Sequence, residues 1–333
     1  MLFPYPVAVC DVGGTNCRIS IQDGPDRPLR HLPHQLTGDF PGLGEAIAAA
    51  TAGEAVKPRS VIACGAGPVD GRRLKLTNAP WVMDGPAVAA MLGLADGLLL
   101  NDFEAQALSL PSLRPDWVRR IGPELPAGPG PRVILGPGTG LGIAALLAVE
   151  GRFVPVSSEA SHAGFGPGTP EEEAFWPHLE RAHGRITSES VLSGVGLERV
   201  HRARLAVKGA PGAPHVAAAD ITATALSARG GEEAATVRCY LRLVARFAGD
   251  IAVTFMATGG VTLAGGILPR IAELIDDTDF RAAFDDKAPV AALARRIGTG
   301  LVTHTDSVLG GMAALAADPE RFVLDYAARR WRG

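Results

Sequence analysis

The stretch Val7-Ala8-Val9-Cys10-Asp11-Val12-Gly13-Gly14-Thr15-Asn16-Cys17-Arg18-Ile19-Ser20-Ile21 decides the fold. A short apolar run, a glycine turn and a second run with alternating polarity read as strand, turn, strand. The turn carries Gly13, Gly14, the Thr15 hydroxyl and Asn16, with Asp11 just before it. Glycine lets backbone N–H groups approach phosphate oxygens with no Cβ in the way. Taken alone, the same turn is also an ordinary hairpin loop that needs glycine for its backbone angles.

Two more glycine turns follow apolar runs far along the chain, Gly136-Pro137-Gly138-Thr139-Gly140-Leu141-Gly142 and Leu263-Ala264-Gly265-Gly266-Ile267. The first lacks the P-loop lysine and the dinucleotide-fingerprint register. A second phosphate-binding hairpin and an inert turn between core strands both remain. Asn101-Asp102 follows Gly97-Leu98-Leu99-Leu100, where a strand hands over to a helix. Asn and Asp are favoured N-caps. The carboxyl end of such a strand is also where an α/β sheet presents a base for a hydroxyl.

Outward from these turns, strands over 7–10, 17–21, 60–64 and 98–100 alternate with helices over 43–50, 86–94 and from 103 onward, which is the α/β pattern. Residues 111–131 are rich in proline and glycine and read as a domain crossing. Strands follow over 132–149 and 152–156, then helices over 171–183, 188–191, 197–206, 221–226 and 232–256. Closing helices are expected over 307–317 and 321–329. The chain thus begins a βββαβα pattern twice, each time with a phosphate-type turn between the first two strands, which points to an internal duplication.

The 333 residues suffice for two domains. With a net charge of −3 and no basic stripe, nucleic acid is not an expected partner. Cys10, Cys17, Cys64 and Cys239 form no C-x-x-C pair, so neither a zinc site nor a disulfide framework is expected, and a reducing cytoplasm fits. The uncharged stretch 133–149 is short for a membrane span and broken by glycines, and no secretory signal is read at the N-terminus. Neither a membrane nor export is therefore expected.

Three places offer polar groups to a small polar ligand. Glu159-Ala160-Ser161-His162 sets an acid and an imidazole three apart among glycines, and Glu189 precedes Val191-Leu192-Ser193-Gly194. Carboxylates and His accept hydrogen bonds from neutral polyols, and a pair at this spacing could hold a metal only with a third ligand, H-E-x-x-H being absent, whereas each residue alone reads first as a solvated loop charge. Asn78, before Pro80 and Trp81, either edges a sugar pocket or fixes a turn. Glu171-Glu172-Glu173 reads instead as the acidic first turn of a helix.

Taken together, these segments resemble the bacterial glucokinases of the hexokinase and actin-like ATPase superfamily, in motif order and along the whole chain. Asp11-Val12-Gly13-Gly14-Thr15-Asn16 is similar to the family's first phosphate loop, Asn101-Asp102-Phe103 to its catalytic segment, and Gly138-Thr139-Gly140-Leu141-Gly142 to its second phosphate loop. Glu159-x-x-His162 and Ser188-Glu189-x-Val191-Leu192-Ser193-Gly194 resemble the sugar-binding segments, and Leu263-Ala264-Gly265-Gly266-Ile267-x-Pro269-Arg270 the adenosine segment. The family commonly shows Gly-Glu-Gly-Gly-His where this chain has Ser158-Glu159-Ala160-Ser161-His162. The cysteine-rich zinc motif of the related ROK group is absent, which favours the branch without structural zinc.

The resemblance implies two RNase H-like α/β domains with an active-site cleft between them. The small domain would be 1–110 completed by a C-terminal helix at about 313–333, and the large one 111–312. It implies ATP-dependent phosphorylation of the 6-hydroxyl of D-glucose. Asp102 would be the base, and Asn78, Asn101, Asp102, Glu159, His162 and Glu189 would bind the sugar. Asp11, Gly13, Gly14, Thr15, Asn16, Gly138, Thr139, Gly140, Gly265 and Gly266 would bind the nucleotide, with Asp11 holding Mg²⁺ through water. A cytoplasmic homodimer is implied. The alternatives are a kinase for fructose or mannose, or a non-catalytic sugar sensor.

Overall fold

A computed structural model describes residues 2–332, which divide into two compact units. The first contains the residues through Trp117, Leu146–Ser157 and those from His304 onward. The second contains Val118–Ala145 and Ser158–Thr303. The sequence expectation drew its limits at 110 and about 313 and gave 146–157 to the larger body.

The first unit is built on a mixed sheet. Its strand order is Leu29–His31, Asn16–Gln22, Val7–Val12, Ser60–Gly65, Asp96–Asn101 and Trp331–Arg332, with Gln35–Leu36 also paired to Asn16–Gln22. The first three strands run antiparallel. Ser60–Gly65 and Asp96–Asn101 then add parallel to Val7–Val12, and Trp331–Arg332 closes the edge antiparallel. Strands covered on both faces read as continuous apolar runs, and Ser60–Gly65 is buried at every residue. Helices Leu43–Ala50 and Gly85–Leu92 supply the connections that parallel neighbours require. The core joins Ala8, Cys10, Ile19, Ile47, Val61, Leu99 and Trp331.

A second sheet runs in the order Val118–Ile121, Thr299–Val302, Val261–Leu263, Arg132–Pro137, Leu141–Val149 and Arg152–Ser158, and its first four strands belong to the second unit. Val261–Leu263 runs parallel to both of its neighbours, and Val118–Ile121 is antiparallel at the edge. The strand order therefore repeats that of the first sheet: hairpin strands, then parallel strands, then an antiparallel edge strand. The two phosphate-type turns occupy matching hairpin positions.

Three sequence expectations are corrected. The helix over 171–183 is shorter, Pro170–Phe175 followed by the 3-10 turn Trp176–His178, because Pro177 has no N–H to continue the ladder. The helix over 321–329 is instead a 3-10 turn at Pro319–Arg321, a short helix Tyr326–Arg329 and the edge strand Trp331–Arg332. A C-terminal helix running from 313 to 333 is likewise absent from the described residues, since helix Ser307–Ala317 ends at Asp318. A small sheet of Val69–Asp70, Arg73–Lys75 and Val82–Asp84 was not expected. No helix among the described residues is long and apolar enough to cross a membrane.

Candidate active site

Strand register assembles the first group of polar residues. Val12 lies level with Gly65, and Gly65 level with Asn101. The carboxyl ends of three parallel strands thus bring the turn after Val12 beside the one that begins at Asn101. That turn closes with the Gly13 N–H donating to the Asn16 carbonyl at 2.8 Å. The Thr37 hydroxyl donates to the Gly13 carbonyl at 2.8 Å and the Thr37 N–H to the Thr15 carbonyl at 2.9 Å, so the loop is fixed from outside. Gly14, Thr15 and Asn16 stay exposed. A Cβ on Gly14 would come within 2.7 Å of the Asn78 carbonyl oxygen, which places the exposed Asn78 loop against this turn.

Asp11 forms an ion pair with Arg18, whose guanidinium also donates to the Thr305 carbonyl. Its second oxygen faces the Cys64 thiol at 3.5 Å. Burial first, and the Asp11 charge second, push the Cys64 thiol well above its ordinary value, so it stays a donor. A carboxylate offers about four lone-pair sites, so Asp11 retains room for a hydrogen bond from a metal-bound water. Among the described residues no three His, Cys, Asp or Glu side chains converge into a cage. Mg²⁺ keeps several waters and takes one or two carboxylates plus substrate phosphates, and Asp11 is a carboxylate of that kind beside the first glycine turn.

Asn101 does the work of an N-cap. Its Oδ1 accepts from Phe103 N at 2.9 Å and Glu104 N at 3.2 Å, and its Nδ2 donates to the Gly67 carbonyl at 3.1 Å. Its side chain also hydrogen-bonds the Asp102 carboxylate, which holds that carboxyl down against the effect of burial. Glu104 returns the favour by accepting from Asn101 N at 3.3 Å, completing a capping box. Asp102 sits half-buried on the first helical turn. Burial pushes its carboxyl up to about 6; the Phe103 N–H works against that rise and the nearby Asp11 charge reinforces it. A carboxylate so placed is ionised at neutral pH yet close enough to titration to take a proton.

The second unit assembles the other group. Glu189 lies on the short helix Ser188–Leu192, whose start is capped by Thr187. Its Oε2 accepts from Leu141 N at 3.0 Å, at the foot of the glycine turn. Its Oε1 lies 3.8 Å from His162 Nδ1, and His162 Nε2 lies 3.3 Å from Glu159 Oε2. Side-chain exposure climbs from 34% at Glu189 to 55% at His162 and 84% at Glu159, so the last two are open to a ligand. The non-glycine residues at 158–162 form a 3-10 turn, Ala160–His162, with Ser158 Oγ accepting from Ala160 N at 3.2 Å. No residue of that segment adopts a positive φ.

Gly138 N donates to the Gly140 carbonyl at 2.8 Å, and the Gly138 carbonyl accepts from Gly194 N at 3.0 Å, leaving Thr139 exposed at the tip. Gly265 has φ +86°, and a Cβ there would stand 2.4 Å from the Pro137 carbonyl oxygen. Only glycine allows the 265–266 turn to lie against the 138–140 turn. Beside both turns is a cavity of about 290 Å³ lined by Gly138, Thr139, Gly194, Ala218, Ala219, Thr222, Gly266, Ile267 and Arg270. Sequence reading missed Arg18, Ala218, Ala219 and Thr222. Arg18 is distinguishable only by its pairing across the hairpin with Asp11, and the small residues of helix Ala218–Ser227 carry no motif.

A family model described as Glucokinase matches residues 8–319. The glucokinase of Mesorhizobium japonicum is 41% identical over 330 residues, covering 98% of this chain and 96% of its own. Among solved structures, a glucokinase from an Antarctic psychrotroph superposes with a TM-score of 0.81 at 27% identity, covering 94% of this chain and 99% of that one. A ROK family glucokinase from Streptomyces griseus, solved with glucose and AMPPNP, superposes at 0.62 with 19% identity over 93% and 99%, a likeness of fold.

Proposed function

The chain belongs to the glucokinase family, and from that premise we propose how its residues transfer the γ-phosphoryl group of ATP to the 6-hydroxyl of D-glucose. It is a sugar kinase by descent. The observation that carries the assignment of roles is the Asp102 carboxyl, raised to about 6 at the strand end beside a glycine turn.

In the proposed reaction Asp102 accepts the proton of the 6-hydroxyl as that oxygen attacks the γ-phosphorus. The bond from the γ-phosphorus to the bridging oxygen breaks, and ADP leaves. General-base help of this kind contributes roughly 10²–10⁴ in rate. Glu159, His162 and Glu189 accept hydrogen bonds from sugar hydroxyls, with Asn78 and Asn101 as further polar contacts. Backbone N–H groups at Gly14, Thr15 and Asn16, and those at Thr139 and Gly140, meet phosphate oxygens, while Gly13 and Gly138 close the two turns that present them. The cavity beside Gly265 and Gly266 takes the adenosine, its purine against Ala218, Ala219 and Ile267. Bound through water to Asp11, Mg²⁺ supplies neutralisation of phosphate charge.

A cytoplasmic setting is supported by four cysteines that are all free and buried. The homodimer rests on the family resemblance, and sedimentation at micromolar concentration decides it. The reaction is tested by sugar-dependent ADP release from Mg-ATP, with glucose, mannose and fructose in parallel and Asp102→Ala beside the wild type. Stimulation by glucose, lost in Asp102→Ala with glucose binding kept, is expected. Stimulation by another hexose alone moves the substrate, no stimulation by any sugar supports a sensor, and turnover in Asp102→Ala removes the base.

A further inference from the structure

We propose that Arg329, in the last turn before the C-terminal edge strand, is a positioning residue for Asp102. The inference rests on Asp102 being the base. Arg329 forks onto one buried carboxylate: Nη1 donates to Glu104 Oε1 at 2.8 Å and Nη2 to Glu104 Oε2 at 2.6 Å. Nη2 also donates to the Leu99 carbonyl at 2.9 Å. Glu104 Oε2 in turn accepts from Asn101 N at 3.3 Å. One guanidinium therefore ties the strand, at Leu99, to the first turn of the helix, at Glu104. Asn101 and Asp102 lie between those two anchor points.

A planar fork on a carboxylate fixes direction as well as distance. Net stability is a poor account of such a pair, since replacing a buried ion pair by apolar groups of the same shape is often neutral or stabilising. Glu104 is 6% exposed, and what the pair adds there is a defined strand-to-helix geometry. The tail that carries Arg329 is itself held in the sheet. Trp331 pairs with Gly97, and its ring lies where a Cβ on Gly97 would come within 2.2 Å. Arg330 makes a separate buried fork with Asp96, at the opposite end of the same strand.

Arg330 supplies the control. It shares the tail, the burial and the type of pair, but it grips the strand away from Asp102. Steady-state kinetics, glucose binding and thermal unfolding are compared for the wild type, Arg329→Gln, Arg329→Lys, Glu104→Gln, Arg330→Gln and Asp102→Ala. Arg329→Gln is expected to lower kcat roughly 10- to 100-fold, with the glucose Kd within about threefold, because a misplacement near 1 Å costs about 10² in rate. Arg329→Lys keeps the charge and one hydrogen bond and restores part of the loss. Arg330→Gln lowers the unfolding temperature while kcat per glucose-binding molecule holds.

Should Arg329→Gln not fold, Glu104→Gln carries the test. It keeps an acceptor for Asn101 N, loses the ionic fork and is expected to lower kcat in the same sense. Wild-type kcat in folded Arg329→Gln or Glu104→Gln overturns the inference, as does an equal loss of kcat in Arg330→Gln. Turnover in Asp102→Ala strikes the base assignment instead, so the two failures are told apart.

Discussion

Replacing Asp102 by Asn is expected to slow turnover and stabilise the fold, with a pH dependence fixed by one carboxyl. Asp102 titrates near 6 in the folded chain against an ordinary 3.8, chiefly because it is buried. The folded state therefore binds this proton more tightly than the unfolded state, and the cost of ionising it appears as pH rises between those values. Below both values the group costs nothing. Above about pH 6 the full difference applies, about 3 kcal/mol, and near pH 5 about 1.5 kcal/mol. Asn never ionises, and its Oδ1 replaces the acceptor that Phe103 N meets at 3.0 Å.

Guanidinium unfolding of the two proteins, run without ligands, should thus show Asp102→Asn ahead by roughly 3 kcal/mol near pH 8 and by about half of that near pH 5. Its turnover should fall by about 10²–10⁴ with glucose binding intact. A variant no more stable than the wild type near pH 8, or an advantage that does not shrink towards pH 5, would refute the desolvation account.

Three further perturbations test neighbouring links. Wild-type kcat should fall about tenfold per pH unit below the Asp102 value, since the base must be ionised, and Arg18→Met should move that limb to higher pH because Asp11 then repels Asp102 without its counter-charge; an unmoved limb breaks the link. Gly265→Ala meets both a φ of +86° and the Pro137 carbonyl, so the KM for ATP should rise at least about tenfold and stability fall by about 1–3 kcal/mol; unchanged ATP kinetics would detach this turn from the nucleotide. Glu189→Gln should raise the glucose KM by about 10- to 100-fold through one weakened charge-assisted contact, and an effect confined to ATP would assign Glu189 to the Leu141 turn alone.

Much of the candidate site was legible because glycine turns leave a local signature. The turns at 13–14, 138–140 and 265–266 stand at strand ends as read, and Asn101 is the cap that its residue type predicts. Hydrophobic period set helix Leu43–Ala50 to the residue and the alternation set the α/β class. The closing strand Trp331–Arg332 was not legible. Two residues carry no period, and their strand state comes from pairing with Gly97 and Asp96, far away in sequence. The same holds for Val118–Ile121, whose partner is Thr299–Val302.

Sequence by itself determined the family, the fold class and the residue types that phosphate and sugar chemistry need, because backbone conformation and hydrogen-bonding capacity belong to individual residues and short windows. Tertiary structure decided which groups act on one another. The pairing of Asp11 with Arg18, the raised carboxyl of Asp102 and the fork from Arg329 onto Glu104 all depend on strand register and on water being kept out. Charge interactions and desolvation act through space, and a residue's position along the chain carries no record of what the fold sets beside it.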